Sequence, residues 1–255
     1  MTTFACDDLD VTIHDDAAAL GKSVAEAFAA EVRARLEAQE TVGVILATGN
    51  SQLPFADALA TVDLDWSRIE VFHLDEYLGI AGDHEAGFRR WIRERVVDRY
   101  KARAFHGLDG QASQPEAEAR RYAALLRERD PDIAVIGIGE NGHIAFNDPP
   151  AEFHTLDLVR VVELDERSRR QQVGEGHFPS VEETPRLALS LTIPAVLSRR
   201  RILVGVPEAR KAEAVQAALE GPVTRQMPAS ILRTCPRAEL HVDRDAASQL
   251  TRWGA

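Results

Sequence analysis

The sequence predicts an α/β protein with an open, mainly parallel sheet and helices on both faces, a modified Rossmann-like arrangement in a single domain over residues 1–255. Three observations carry this. Apolar, β-branched runs recur at Thr41–Ala47 (TVGVILA), Ile69–Leu74 (IEVFHL), Asp132–Ile138 (DIAVIGI) and Arg201–Val206 (RILVGV). Segments of helical period separate them, as βαβ units require. The runs are apolar throughout rather than alternating, which fits strands covered on both faces.

The elements follow in order. Between Asp15 and Glu40, Leu20, Val24, Phe28, Val32 and Leu36 recur every four positions, the stripe of an amphipathic helix with acids in its first turn. After the Thr41–Ala47 strand a second helix is expected from Ser51 through Phe55, Ala58 and Leu59. The Ile69–Leu74 strand ends at Asp75. Phe88, Trp91, Ile92 and Val96 mark another helix, and Glu116 to Arg129 a further one. Leu164–Gln172, rich in Arg and Gln, fits helix or loop. Pro207 is expected to open a helix running to Leu219, stopped by Gly221-Pro222, with Leu240–Val242 as a short final strand. No internal repeat or low-complexity tract divides the chain.

Composition narrows the function. A net charge of -11 argues against nucleic acid or an anionic membrane as partner, but not against a small anion held by backbone N–H groups. Two cysteines, Cys6 and Cys235, without a CxxC pair, point to a reduced compartment. MTTFACDDLD lacks the basic and apolar regions of a signal peptide, and no apolar run approaches the ~20 residues of a membrane span. A cytoplasmic location is expected.

Chemistry concentrates in three loops at strand ends, where ligands of open α/β sheets bind. The first is Thr48-Gly49-Asn50-Ser51. Its small residues let a ligand approach the backbone, and its hydroxyls add donors; a phosphate loop and a plain turn capped by Ser51 both fit. It lacks GxxxxGK[ST], so a nucleotide P-loop is not supported. The second is HLDEYLG, where neighbouring side chains diverge and one of Asp75 and Glu76 faces the cleft. A carboxylate there can exchange protons with substrate carbon; a solvated acidic loop with Tyr77 packing on the rim fits as well. The third, GIGENGH, ends on His143, a candidate acid/base with Asn141 and Asp148 nearby. It matches GxGxxG, but Pro149-Pro150 follows too soon for the long helix a dinucleotide fingerprint needs.

The other histidines and the two distant cysteines show no metal-ligand spacing, so no metal is expected. Arg167, Arg169, Arg170 and Arg210 read as solvated charges. Lys211, following a buried strand, lies at the ligand-binding edge and fits either an anion contact or the same solvated face.

With these residues assembled, the chain resembles the glucosamine-6-phosphate deaminase/isomerase family, related to 6-phosphogluconolactonases. ATGNS resembles its phosphate loop, FHLDEYLG its proton-transfer loop and GIGENGHIAFNDP its ring-opening loop, and ALSLTIPAVLSRRRILVGVPEARKAEAVQAALEG its fourth block. The likeness runs from about Thr41 to Leu250, and GHIAFN favours the deaminase branch, since lactonases continue GH differently.

The resemblance implies that Thr48, Gly49, Asn50, Ser51 and Lys211 hold a sugar 6-phosphate, His143 opens the ring, and Asp75 moves the C2 proton to C1. Ammonia then leaves and water completes fructose 6-phosphate, without metal or organic cofactor. A lactonase-type sugar-phosphate hydrolase and a non-catalytic sugar-phosphate sensor are the alternatives, and a homo-oligomer is left open. Two departures stand out. The family's better-known members have Asp at the position of Asn141 and Glu at that of Asp148. Asn141 orients without supplying charge, which predicts a weaker base at His143; Asp148, one methylene shorter, reaches less far into the cleft. VGEGH stands where a second phosphate-binding arginine is expected.

Overall fold

The protein is described by a computed structural model over residues 1–252. The chain runs β1 (Thr2–Cys6), β2 (Leu9–His14), α1 (Ala17–Ala38), β3 (Val42–Leu46), α2 (Leu53–Ala58), β4 (Ile69–His73) and β5 (Asp75–Tyr77). Next come α3 (Phe88–Ile92), a π turn (Arg93–Val97), α4 (Asp98–Tyr100), β6 (Ala104–His106), α5 (Pro115–Arg129) and β7 (Ile133–Ile136). The chain closes with β8 (Val159–Glu163), α6 (Glu166–Gly174), β9 (Leu187–Leu191), α7 (Ile193–Leu197), β10 (Arg201–Val206), α8 (Ala212–Glu220) and β11 (Ala238–Asp243).

Eight strands form the main sheet in the order β1-β2-β11-β10-β7-β3-β4-β6. All neighbours are parallel except the β1/β2 hairpin. From β3 the chain steps outward to β4 and β6; from β7 it steps the opposite way, to β10 and β11. The reversal falls between β3 and β7, and a crevice opens beyond their carboxyl ends, where doubly wound sheets bind ligands.

Two apolar layers sandwich the sheet. Val44 and Leu46 face the layer under α1, which presents Leu20, Val24, Phe28 and Val32; Ile45 faces the other, with Tyr122 of α5 and Val215 of α8. The alternation within one continuous apolar run is what two covered faces demand. Asp16 caps α1, its Oδ1 accepting from Ala19 N–H at 2.7 Å. At the α1/α2 crossing a Cβ on Gly21 would stand 2.3 Å from the carbonyl of Pro54, so only glycine permits this approach. Phe28 is fully buried, and truncating it to Ala costs about 3–5 kcal/mol.

The structure departs from the sequence-based expectations in several places. The β1/β2 hairpin was not expected, because its half-exposed, mixed pattern hides it. Nor was a second sheet, the antiparallel β5-β9-β8, whose short strands carry no clear period. The helix expected from Ser51 begins instead as a 3₁₀ turn, Asn50–Gln52, with α2 starting at Leu53. The helix expected from Pro207 begins at Ala212: Glu208 is left-handed (φ 84°), its N–H drawn to the Asp243 carboxylate, and a 3₁₀ turn (Ala209–Lys211) follows. Leu164–Gln172, open to two readings, is mostly helix, α6, capped by Asp165.

Candidate active site

One cleft, open to solvent, lies over the switch point. It brings together all three loops. Thr48, Gly49 and Ser51 come from the end of β3, Asp75 from β5, His143 from the loop after β7, and Lys211 from the turn before α8. Leu74, Phe88 and Phe146 add apolar wall.

Asp75 and Glu76 diverge. Asp75 lines the cleft, where burial, helped by the charge of Glu76, pushes its carboxyl well above the usual range. Glu76 turns the other way. It accepts from Tyr77, Phe88 and Arg89 N–H at 3.0, 3.2 and 2.8 Å, tying β5 to the start of α3 and so placing Phe88 at the cleft.

The glycines of GIGENGH are explained by packing. A Cβ on Gly139 would lie 2.3 Å from the His143 ring, and one on Gly137 2.9 Å from Gln52 Nε2. Gly142 is left-handed (φ 84°), and its Cβ would strike Met227. The motif therefore seats an imidazole instead of a pyrophosphate. Ala145 holds φ 49°, sparsely populated for a residue with a Cβ, and Asn147 pins the loop by donating to the Ile144 and Leu191 carbonyls, both at 2.8 Å.

His143 is held from behind. Its Nδ1 lies 3.1 Å from Asp148 Oδ1 and 2.9 Å from Ser168 Oγ, while Ser168 Oγ donates to Asp148 Oδ1 at 2.5 Å. The serine proton being committed, the network assigns the imidazole proton to Nδ1 and leaves Nε2 as acceptor. His143, Ser168 and Asn141 hold the Asp148 carboxyl well below its ordinary range against the opposing effect of burial.

This corrects two expectations. Asp148 does not reach into the cleft; it and Asn141 stand behind the imidazole. The charge that Asn141 lacks is supplied by Asp148, so the reason given for a weaker base is removed. Asn141 instead accepts from His143 N–H at 3.1 Å and donates to Asp148 at 2.8 Å and Asp165 at 2.9 Å.

On the anion side, the Thr48 hydroxyl oxygen is buried without a protein partner, and Gly49 adopts φ 90°, ψ 178°, which favours glycine. Lys211 is 1% exposed, with its pKa lowered by burial. Of the lining residues it is the one Lys or Arg. Asn50 does not line the cleft; its amide donates to the Glu175 carbonyl at 3.1 Å, bracing the turn after α6. Arg167 and Arg170 pair with Glu213 and Glu166, and Arg210 with Glu208, Glu175 and Glu140.

Sequence reasoning missed Gln171, Gln172 and Glu175, all lining the cleft. Glu175 extends into the anion side, 3.7 Å from where a Cβ on Gly49 would be. His177, Lys211, Arg210 and Gln171 hold its carboxyl down to about 2 against burial. The GEG of VGEGH was the available signal: glycines on both sides free one acid to turn inward. Among the described residues no group of three or more His, Cys, Asp or Glu is arranged to hold a metal, and no helix is long and apolar enough to cross a membrane.

The profile of the family described as glucosamine-6-phosphate isomerases/6-phosphogluconolactonase matches residues 15–241. The chain belongs to that family. It is 37% identical to a glucosamine-6-phosphate deaminase of Staphylococcus epidermidis over 72% of this chain and 75% of the relative. It is 33% identical to one of an Exiguobacterium species over 86% and 84%. Among solved structures, a monomeric glucosamine-6-phosphate deaminase superposes with TM-score 0.85 at 30% identity, covering 93% of this chain and 98% of that one. A 6-phosphogluconolactonase of Shewanella baltica superposes with TM-score 0.74 at 21% identity, covering 91% and 96%, a likeness of fold.

Proposed function

We propose that this chain catalyses the isomerising deamination of glucosamine 6-phosphate to fructose 6-phosphate and ammonia. One observation carries the reading: Asp75 and His143, from loops far apart in sequence, line one cleft with Lys211 and the Thr48–Ser51 turn. The named deaminase relatives and the GHIAFN sequence favour this branch.

In this reading Thr48, Gly49, Ser51 and Lys211 hold the phosphate. Neutral His143, its Nδ1 proton engaged by Asp148, uses Nε2 to take the C1 hydroxyl proton and return it to the ring oxygen, opening the pyranose. Ionised Asp75 takes the C2 proton, acidified by the C1 carbonyl, and delivers it to C1, while a proton passes from the amino nitrogen to O1. The resulting C2 imine is hydrolysed by water, releasing ammonia and leaving the C2 ketone. No step calls for a metal or organic cofactor. Cytoplasmic sugar-phosphate metabolism is the proposed setting.

Incubation with glucosamine 6-phosphate, with assay of ammonia and fructose 6-phosphate, tests the proposal. Both products should form in equal amounts. Hydrolysis of 6-phosphogluconolactone without deamination would move the chain to the lactonase branch; tight sugar-phosphate binding without any turnover would make it a sensor.

A further inference from the structure

Behind His143 lies a second carboxylate that the proposed chemistry does not use. Asp165, the N-cap of α6, accepts from Ser168 N–H through Oδ1 at 2.5 Å and from Asn141 through Oδ2 at 2.9 Å. Its own N–H donates to Asp148 Oδ2 at 2.9 Å. Asn141 is fixed in turn: Oδ1 takes the His143 N–H, so Nδ2 must face the carboxylates, one proton on Asp148 and one on Asp165. Only a group that accepts on one side and donates twice on the other satisfies these positions. A carboxylate at 141 would place a third negative oxygen less than 3 Å from two others.

We propose that Asp165 is a positioning residue for His143, acting through Asn141 and Asp148, and that it is the reason a carboxamide stands at 141. Asp165 does not line the cleft. It fixes the amide, and with it the Asp148 oxygen on which the imidazole proton rests. The inference deepens the proposed function by naming what sets the proton carrier, and its effect belongs in kcat rather than KM.

The test uses three variants of the whole protein. Asp165→Ser keeps an N-cap oxygen for α6 while removing one negative charge. Asn141→Asp adds one, and the double variant restores the original count. The other ionisable groups that line the cleft with the imidazole, Asp75, Glu175 and Lys211, are unchanged. The readout is the His143 imidazole titration followed by NMR without substrate, so it remains informative even if the deaminase assay fails. Asp165→Ser should lower the His143 midpoint and Asn141→Asp raise it, each by about half a unit or more, and the double variant should return it toward the parent. With glucosamine 6-phosphate, each single variant should lose about tenfold or more in kcat at little change in KM, and the double variant should recover part of the loss. Single-variant shifts that do not oppose each other, a double variant that does not return, or Asp165→Ser within twofold of the parent in kcat would overturn the proposal.

Discussion

Asp148 Oδ1 stands 3.1 Å from His143 Nδ1, on the side of the imidazole turned away from the cleft. The ring is thus clamped: a carboxylate and the Ser168 hydroxyl grip one edge, and the bare Cα of Gly139 lies against it. A general base works only while its tautomer and aim are held, and in the proposed role of His143 both are set by Asp148 and Ser168, which do not line the cleft.

Gly139→Ala tests the clamp sterically. The new methyl would sit 2.3 Å from the ring, and the ring must move. Turnover should fall about a hundredfold, the scale expected for displacing a catalytic group by an ångström, while phosphate binding persists. Unchanged kcat in a folded variant would show that the ring position is not critical.

Asp75→Asn removes the proposed C2 base but keeps its size. Solvent-proton exchange at C2 and product formation should drop between about a hundred- and ten-thousand-fold. Thermal stability should hold or rise, because the buried carboxylate's charge is disfavoured where it stands. Isotope exchange measured by NMR reads the step directly, and exchange at the parent rate would remove Asp75 from its role.

Lys211 and Glu175 should act in opposite directions. Lys211→Met removes the cleft's one Lys or Arg and should raise KM for the sugar phosphate about ten- to a hundredfold, the range for a lost charged hydrogen bond. Glu175→Gln removes a carboxylate from the anion side and should lower KM about fivefold, from ~1 kcal/mol of relieved repulsion, the size for charges about 4 Å apart in a water-like dielectric, as in a cleft open to solvent. Calorimetric titration with the sugar phosphate checks both. A weaker affinity in Glu175→Gln would mean that this acid organises the cradle rather than opposing the phosphate.

The acid limb of stability should carry the mark of His73. Fully buried, it has a pKa lowered by burial, and secondarily by Arg89, from 6.5 to about 3. Between these values the unfolded chain binds a proton that the folded chain refuses. Stability therefore falls as pH drops from about 6.5 toward 3, by ~1.4 kcal/mol per pH unit from this group. His73→Asn should flatten that slope in urea melts across the window; an unchanged slope would assign the acid sensitivity elsewhere.

The sequence by itself determined the parallel strands, the long helix α1 and the loops that bear Thr48, Asp75 and His143. These rest on local physics: continuous apolar runs make covered strands, a four-residue spacing makes one helix face, and glycines punctuate strand ends. Tertiary structure decided what lies behind and beside those residues. Asp148 and Asn141 were visible near His143, but that one supplies the charge and the other bridges two acids follows from how α6 packs on the loop. Glu175, Gln171, Gln172 and Asp165 sit in a polar stretch with no periodic signal, and Asp165 meets Asn141, and Glu175 meets Arg210, only once distant segments pack. A strand or helix is written in the spacing of neighbours; a hydrogen-bond network is written in angles between segments, and those exist only once the sheet has folded.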